Sequence, residues 1–181
     1  MTPTPTCTLV TGGIRSGKSA HAEQLLGEAP AIYLATGPVP GPDDADWQAR
    51  VNAHRARRPA SWRTVESGDV PATLASADRT VLLDSVGTWL ARQLDELGAW
   101  DDRPGWAGTL GARLDDMVAA VTAFEHDLVI VSEEVGLSLV SEHRAGRLFA
   151  DWLGTANQRL AAVCDRVVLV VAGCPLVVKE G

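Results

Sequence analysis

Residues 12–19 read Gly-Gly-Ile-Arg-Ser-Gly-Lys-Ser, and the short apolar run Cys7-Thr8-Leu9-Val10-Thr11 leads into them. The spacing G-x-x-x-x-G-K-[ST] constrains the fold strongly. It needs a strand that delivers the chain, a turn whose backbone N–H groups point inward at phosphate oxygens, and a helix whose N-terminus adds positive potential. The helix is expected to start near Lys18 and to run through Ala20-His21-Ala22-Glu23-Gln24-Leu25-Leu26. Gly12 and Gly17 supply backbone angles that a side chain would forbid. Gly12, Gly13, Ile14, Arg15, Ser16, Gly17, Lys18 and Ser19 are therefore the candidate triphosphate contacts. Lys18 is placed to reach the β- and γ-phosphates, and the Ser19 hydroxyl to hold Mg²⁺.

The rest of the chain fits a fold around that loop. Strand-like runs at 8–11, 31–36, 80–84, 128–132 and 166–172 alternate with helical stretches near 18–27, 44–57, 86–97, 107–125 and 144–163. The strands are almost continuous Val, Ile and Leu, as expected where helices cover both faces of a parallel sheet. The expectation is one α/β domain of P-loop NTPase type over residues 1–181, with a largely parallel sheet flanked by helices. Ligands of such sheets bind at the carboxyl edge, where Thr36, Asp84 and Ser132 should gather beside the loop. A net charge of -7 argues against nucleic acid as the main partner, because phosphate backbones demand excess Lys and Arg. Cys7, Cys164 and Cys174 show no paired or metal-binding spacing, and the first two are expected as buried thiols. The N-terminal residues lack the charged and apolar regions of a signal peptide, and no apolar run approaches ~20 residues. A cytoplasmic protein with no membrane span is expected.

Asp84 ends the run Val81-Leu82-Leu83, the usual place for a carboxylate that holds Mg²⁺ beside a phosphate loop. It competes with a plain role at the start of the next helix, where Ser85 would serve as a cap. Glu133 and Glu134 follow Val129-Ile130-Val131-Ser132 and should point to opposite faces, one toward the site. In a helix, Arg50, His54 and Arg57 or Arg58 would share one face. That is either a solvated basic face or a triphosphate clamp around a nucleophile. A neutral imidazole attacks phosphorus well, and neighbouring arginines disfavour imidazolium.

Taken together these residues resemble the bifunctional adenosylcobinamide kinase / adenosylcobinamide-phosphate guanylyltransferase family. The resemblance rests on Leu9 to Ser19 with Ala22-Glu23, on Tyr33-Leu34-Ala35-Thr36, and on Arg50-Val51 with His54, Arg58-Pro59 and Trp62-Arg63-Thr64-Val65-Glu66. It continues through Leu82-Leu83-Asp84-Ser85, Ser132-Glu133-Glu134-Val135-Gly136, Gly146-Arg147-Leu148-Phe149, Asn157-Gln158 and Leu169 to Gly173. It implies an enzyme that phosphorylates adenosylcobinamide and then transfers GMP from GTP through a guanylyl-histidine, with GTP and ATP as substrates and Mg²⁺ as cofactor. His54 is the histidine that matches. Ala35, Thr36, Gly37, Arg55, Ala56, Arg57, Arg58, Glu66 and Asp84 match nucleotide-contacting positions, Ser19 and Asp84 match the metal positions, and a homotrimer is implied. Many members have Asn where this chain has Glu133, and Pro-Glu-Asn where it has Ser141-Glu142-His143; both departures bear on the kinase half. The competing readings are a P-loop small-metabolite kinase with no covalent intermediate, and a non-enzymatic nucleotide-gated regulatory module.

Overall fold

The computed structural model describes residues 5–37, 49, 51–52 and 55–181. Seven strands form one sheet: β1 (Cys7–Gly12), β2 (Ile32–Ala35), β3 (Arg63–Glu66), β4 (Val81–Asp84), β5 (Leu128–Glu133), β6 (Arg166–Val171) and β7 (Cys174–Lys179). Their order is β3-β2-β4-β5-β1-β6-β7, with every neighbouring pair parallel except β6 and β7. The helices whose full extent lies among the described residues are α1 (Lys18–Leu26), α2 (Val70–Ser76), α3 (Val86–Leu97), α4 (Trp106–Ala123) and α5 (Arg144–Val163). The expected α/β fold with a largely parallel sheet is therefore what the chain adopts.

Local chemistry sets the element ends. Helix α1 begins after Gly17 at φ 94° and stops at Gly27 at φ 60°, angles that glycine adopts without a Cβ clash. Helix α3 begins with a reciprocal cap in which the Thr88 N–H donates to Ser85 Oγ and the Ser85 N–H donates to Thr88 Oγ1. A cap of this kind stabilises by about 1 kcal/mol. At the far end of α5, Lys179 Nζ donates to the carbonyls of Ala161 and Cys164, at 2.9 and 2.6 Å, which satisfies groups the helix leaves open.

Three elements were not expected. Strand β3 is polar and largely exposed, and pairs with β2 alone. Helix α2 has only seven residues, started by the Asp69 side chain accepting from the Ala72 N–H. Strand β7 returns antiparallel on β6 through a turn at Ala172 and Gly173, whose φ values are 50° and 78°. Two adjacent positive φ angles are the signature of a tight hairpin turn. Of the helix expected over 44–57, residues 49, 51–52 and 55–57 are helical. Its other residues, Arg50 and His54 among them, lie outside the described residues, as does Trp47. Arg58 bends out of the helix, so the expected face does not extend to it as a helical position.

The sheet divides two cores. On one face Leu9, Ile32, Leu34, Leu83 and Ile130 pack with Leu74, Trp89, Leu90, Leu94, Leu110, Leu114, Met117, Leu153 and Leu160 from α2 to α5. On the other, Val10, Tyr33, Leu82, Val129, Val131 and Val168 meet Ala22 of α1 and Trp62. The alternation follows from strands buried on both sides. All three cysteines are free, and Cys164 is buried as expected while Cys7 is half-buried. The Cys7 thiol is hydrogen-bonded to Cys164, which with burial holds its pKa far above the ordinary value. Among the described residues, no helix is long and apolar enough to cross a membrane.

Candidate active site

The phosphate loop joins β1 to α1 and is shaped by its own backbone angles and hydrogen bonds. Arg15 and Gly17 take left-handed angles of 56° and 94°. The Ser16 N–H donates to the Gly13 carbonyl at 3.2 Å, and the Lys18 N–H donates to Ser16 Oγ at 3.3 Å. Lys18 Nζ lies 3.4 Å from the Gly13 carbonyl, folded over the loop it would serve. Gly17 is required by angle and space; Gly12 ends β1 without a left-handed angle, contrary to expectation, and is required by space alone. A Cβ on Gly12 would stand 2.6 Å from the Val170 carbonyl, and one on Gly17 would stand 3.2 Å from the Gly173 Cα. Gly13 meets no such obstacle. Ile14 points its side chain into solvent, so any contact it makes with phosphate is through its backbone. The β6–β7 turn braces the loop: the Gly173 N–H donates to the Ser16 carbonyl at 2.8 Å.

Parallel pairing brings the other strand ends to the same edge. Gly12 stands opposite Glu133, Val131 opposite Asp84, and Asp84 opposite Ala35, which in turn faces Glu66. One strand, β5, therefore separates the loop strand from the Asp84 strand, roughly 10 Å across the sheet. Thr36 follows β2 and is fully buried. Its hydroxyl donates to the Ser85 carbonyl at 2.6 Å and accepts from the Ser85 N–H at 3.1 Å, tying β2 to the start of α3. Gly37 comes next, in a bend.

Glu133 and Glu134 do not divide as expected. Glu133 accepts from Ser85 Oγ at 2.8 Å and from the Gly87 N–H at 2.9 Å, so it caps α3, where the helix dipole favours an anion. Glu134 turns back to its own loop and accepts from the Gly136 N–H. Ser132 donates to the Asn157 side chain on α5. These polar groups support the edge rather than project from it.

The carboxylate at the edge is Asp84, and its partner was missed by sequence reasoning. Tyr33 of β2 donates its hydroxyl to Asp84 Oδ2. Burial, and then the charge of Asp84, push the phenol's pKa well above its ordinary value, so the proton stays on the tyrosine. The Arg58 guanidinium lies 3.3 Å from the centre of the same ring, a cation–π contact, and Trp62 stacks on it at 6.4 Å. Tyr33 is the only tyrosine in the chain, and it sits in the strand beside the Asp84 strand, a neighbourhood that the sequence does not announce.

The remaining cations are anchored around the loop helix. Arg57 makes a two-pronged contact with Glu23 of α1, at 2.9 and 3.1 Å. Arg58 Nη1 donates to Thr64 at 3.0 Å, and Arg55 pairs with Glu66 at the end of β3. Ala56 lies exposed between them. The structure thus brings Arg55, Arg57, Arg58, Glu66 and Asp84 to the face of the sheet on which α1 packs. The other histidines stay apart from this cluster. His143 begins α5, His126 packs on Phe124, and His21 of α1 is held below its usual pKa by burial and Arg166.

Among the described residues no three His, Cys, Asp or Glu side chains converge as a metal cage. The Ser19 hydroxyl and the Asp84 carboxylate are hard oxygen donors. Mg²⁺ takes one or two such ligands together with substrate phosphates rather than a closed protein cage. The donor set fits a metal that arrives with its nucleotide.

Comparison with known proteins agrees with this picture. The family described as cobinamide kinase / cobinamide phosphate guanyltransferase matches residues 8–178. The bifunctional adenosylcobalamin biosynthesis protein CobU of Salmonella typhimurium is 40% identical, over 94% of this chain and 98% of that protein. The Escherichia coli protein of the same name is 38% identical over the same shares. The bifunctional protein CobP of Pseudomonas aeruginosa is 36% identical, over 94% of this chain and 96% of its own length. Among solved structures, an ATPase from the type III secretion system of pathogenic bacteria aligns with a TM-score of 0.56 at 13% identity, covering 92% of this chain and 51% of that one, which speaks for the fold alone. A phosphate loop by itself is shared by many enzymes, but a match that runs from β1 to β7 is not, and on that breadth the chain belongs to the cobinamide kinase / cobinamide phosphate guanyltransferase family of bifunctional enzymes.

Proposed function

We propose that the protein phosphorylates the aminopropanol hydroxyl of adenosylcobinamide and then transfers GMP from GTP onto that phosphate, releasing pyrophosphate and forming adenosyl-GDP-cobinamide. The guanylyl group is carried on His54. The observation that carries this reading is the anchoring of residues 55–58 on the loop-helix side of the sheet, through Glu23 and Tyr33. His54 immediately precedes them in sequence.

In the kinase step the alcohol oxygen attacks the γ-phosphorus of GTP or ATP, and the nucleoside diphosphate leaves. Phosphoryl transfer asks mainly for positioning and charge neutralisation. The loop N–H groups from Gly13 to Ser19 orient the triphosphate, and Lys18 meets the charge on its β- and γ-oxygens. In the second step the neutral imidazole of His54 attacks the α-phosphorus of GTP and pyrophosphate leaves. Arg55, Arg57 and Arg58 flank the triphosphate and disfavour imidazolium, which keeps the nucleophile's lone pair available. An oxygen of cobinamide phosphate then attacks the phosphoramidate, and His54 is regenerated. Ser19 and Asp84 would hold Mg²⁺, which would neutralise charge on the phosphate oxygens. Thr36 and Glu66 line the nucleotide side, and the active assembly is a homotrimer.

GTP labelled at its α-phosphorus tests the covalent step. With Mg²⁺, wild-type protein should retain label after denaturation, stable to alkali and lost in acid, as expected for an N-linked phosphoramidate. The His54→Ala protein should retain none. Absence of label on wild-type protein that demonstrably binds GTP would leave a plain kinase as the better description.

A further inference from the structure

Tyr33 is a buried phenol that the proposed chemistry does not use, yet it touches two groups that the chemistry needs. Its hydroxyl donates to Asp84 Oδ2, and its ring carries the Arg58 guanidinium at 3.3 Å. It cannot shift sideways, because Trp62 stacks on it and Leu82 and Ala22 belong to the same packed cluster. A hydrogen bond from a fixed donor selects one rotamer of the accepting carboxylate. Groups that hold a metal-binding carboxylate in this way tune metal affinity without touching the metal.

We propose that Tyr33 is the positioning residue for the metal-binding carboxylate: its hydroxyl fixes the orientation of Asp84, and its ring ties that carboxylate to Arg58 on the nucleotide side. The proposal rests on the reading of Asp84 as a Mg²⁺ ligand. One aromatic ring then links a cation that faces the triphosphate to the anion that faces the metal. Arrival of the metal–nucleotide pair is felt at both.

The test uses Mn²⁺ as the metal probe and a non-hydrolysable GTP analogue, with free Mn²⁺ followed by electron paramagnetic resonance. Tyr33→Phe keeps the ring and its stacking and removes only the hydroxyl. It should weaken Mn²⁺ binding in the nucleotide complex about tenfold. Affinity for the analogue without metal should stay within about twofold of wild type, because the ring under Arg58 is intact. The Asp84→Asn protein separates the two layers of the argument. If Asp84→Asn weakens Mn²⁺ and Tyr33→Phe does not, the positioning role is wrong and the Asp84 reading stands. If neither variant weakens it, the Asp84 reading itself falls. Equal loss of metal-free and metal-dependent binding in Tyr33→Phe would make the hydroxyl merely structural and would overturn the proposal. A second measurement needs no variant. Since Tyr33 is the only tyrosine, the phenol-carbon NMR signal of protein labelled at tyrosine reports this one hydrogen bond. It should move when Mg²⁺ is added to the nucleotide complex, and a signal that does not respond counts against the proposal.

Discussion

The two faces of the sheet are built on different principles. The face covered by α2 to α5 is filled by large aliphatic side chains, with Leu83, Leu90, Leu94, Leu110, Leu114 and Met117 almost wholly excluded from solvent. The face covered by α1 offers smaller or polar-tipped partners: Ala22 is the only buried residue of α1, and Tyr33 and Trp62 bring a hydroxyl and an indole N–H into the packing. Hydrophobic burial contributes about 25 cal/mol per Å² wherever it occurs, but it carries no directional information. Hydrogen bonds and ion pairs contribute less to stability and fix orientation. The sheet separates a face packed by bulk from a face whose polar groups are held in fixed directions.

Four substitutions test that separation. The largest effect is expected from Lys18→Ala on the α1 side. It should lower both group-transfer rates by about 10³-fold, the scale seen when one preorganised charge-stabilising donor is removed. The melting temperature should barely move; a large drop would show that the loop is also a stability element. Leu90→Ala on the opposite face should destabilise by about 3 kcal/mol in a urea titration, from lost transfer energy plus the cavity left behind. Its GTP affinity, measured well below the unfolding transition, should equal wild type; a weaker affinity would break the comparison. Glu23→Ala removes the two-pronged contact to Arg57, and is expected to weaken GTP binding by about fivefold with under about 1 kcal/mol lost in stability, as is usual for a partly exposed pair.

The smallest effect belongs to Glu96 on α3. A hydrogen bond from Arg92, helped by Arg113 and opposed by burial, holds its carboxyl below the ordinary value of 4.5. A group whose folded pKa is depressed contributes stability that is present above its unfolded pKa and is lost as pH falls through the folded one. Because its side chain is 43% exposed, Glu96→Gln should cost under about 1 kcal/mol at pH 7. The difference from wild type should shrink as pH drops below 4.5 in urea titrations. A difference that persists in acid would point to packing rather than charge.

The sequence spoke most clearly where a single physical signal dominated. The strand, loop and helix from Cys7 to Leu26 follow from an apolar run, two glycines and a helix former's composition. The ends of α3 fell where expected because Ser85 and Thr88 make a cap and Gly98 takes the left-handed turn. Strand β3 carries Arg63, Thr64 and Glu66 on a sheet edge, so its burial pattern is nearly featureless, and only pairing with β2 makes it a strand. Strand β7 depends on the turn at Ala172, an unusual residue for a positive φ, and no composition rule announces it. In the site, Asp84 was legible because an acid ending an apolar strand is conspicuous. Tyr33 was not, since its partner lies on another strand and only the pairing of Ala35 with Asp84 brings them together. Glu133 misled for the same reason: the groups that donate to it, on Ser85 and Gly87, are distant in sequence.

The brace from the Gly173 N–H to the Ser16 carbonyl joins the β6–β7 turn to a phosphate loop that lies far from it in sequence. A change at that turn therefore reaches the phosphate loop through a single backbone contact, however far apart the two lie in sequence.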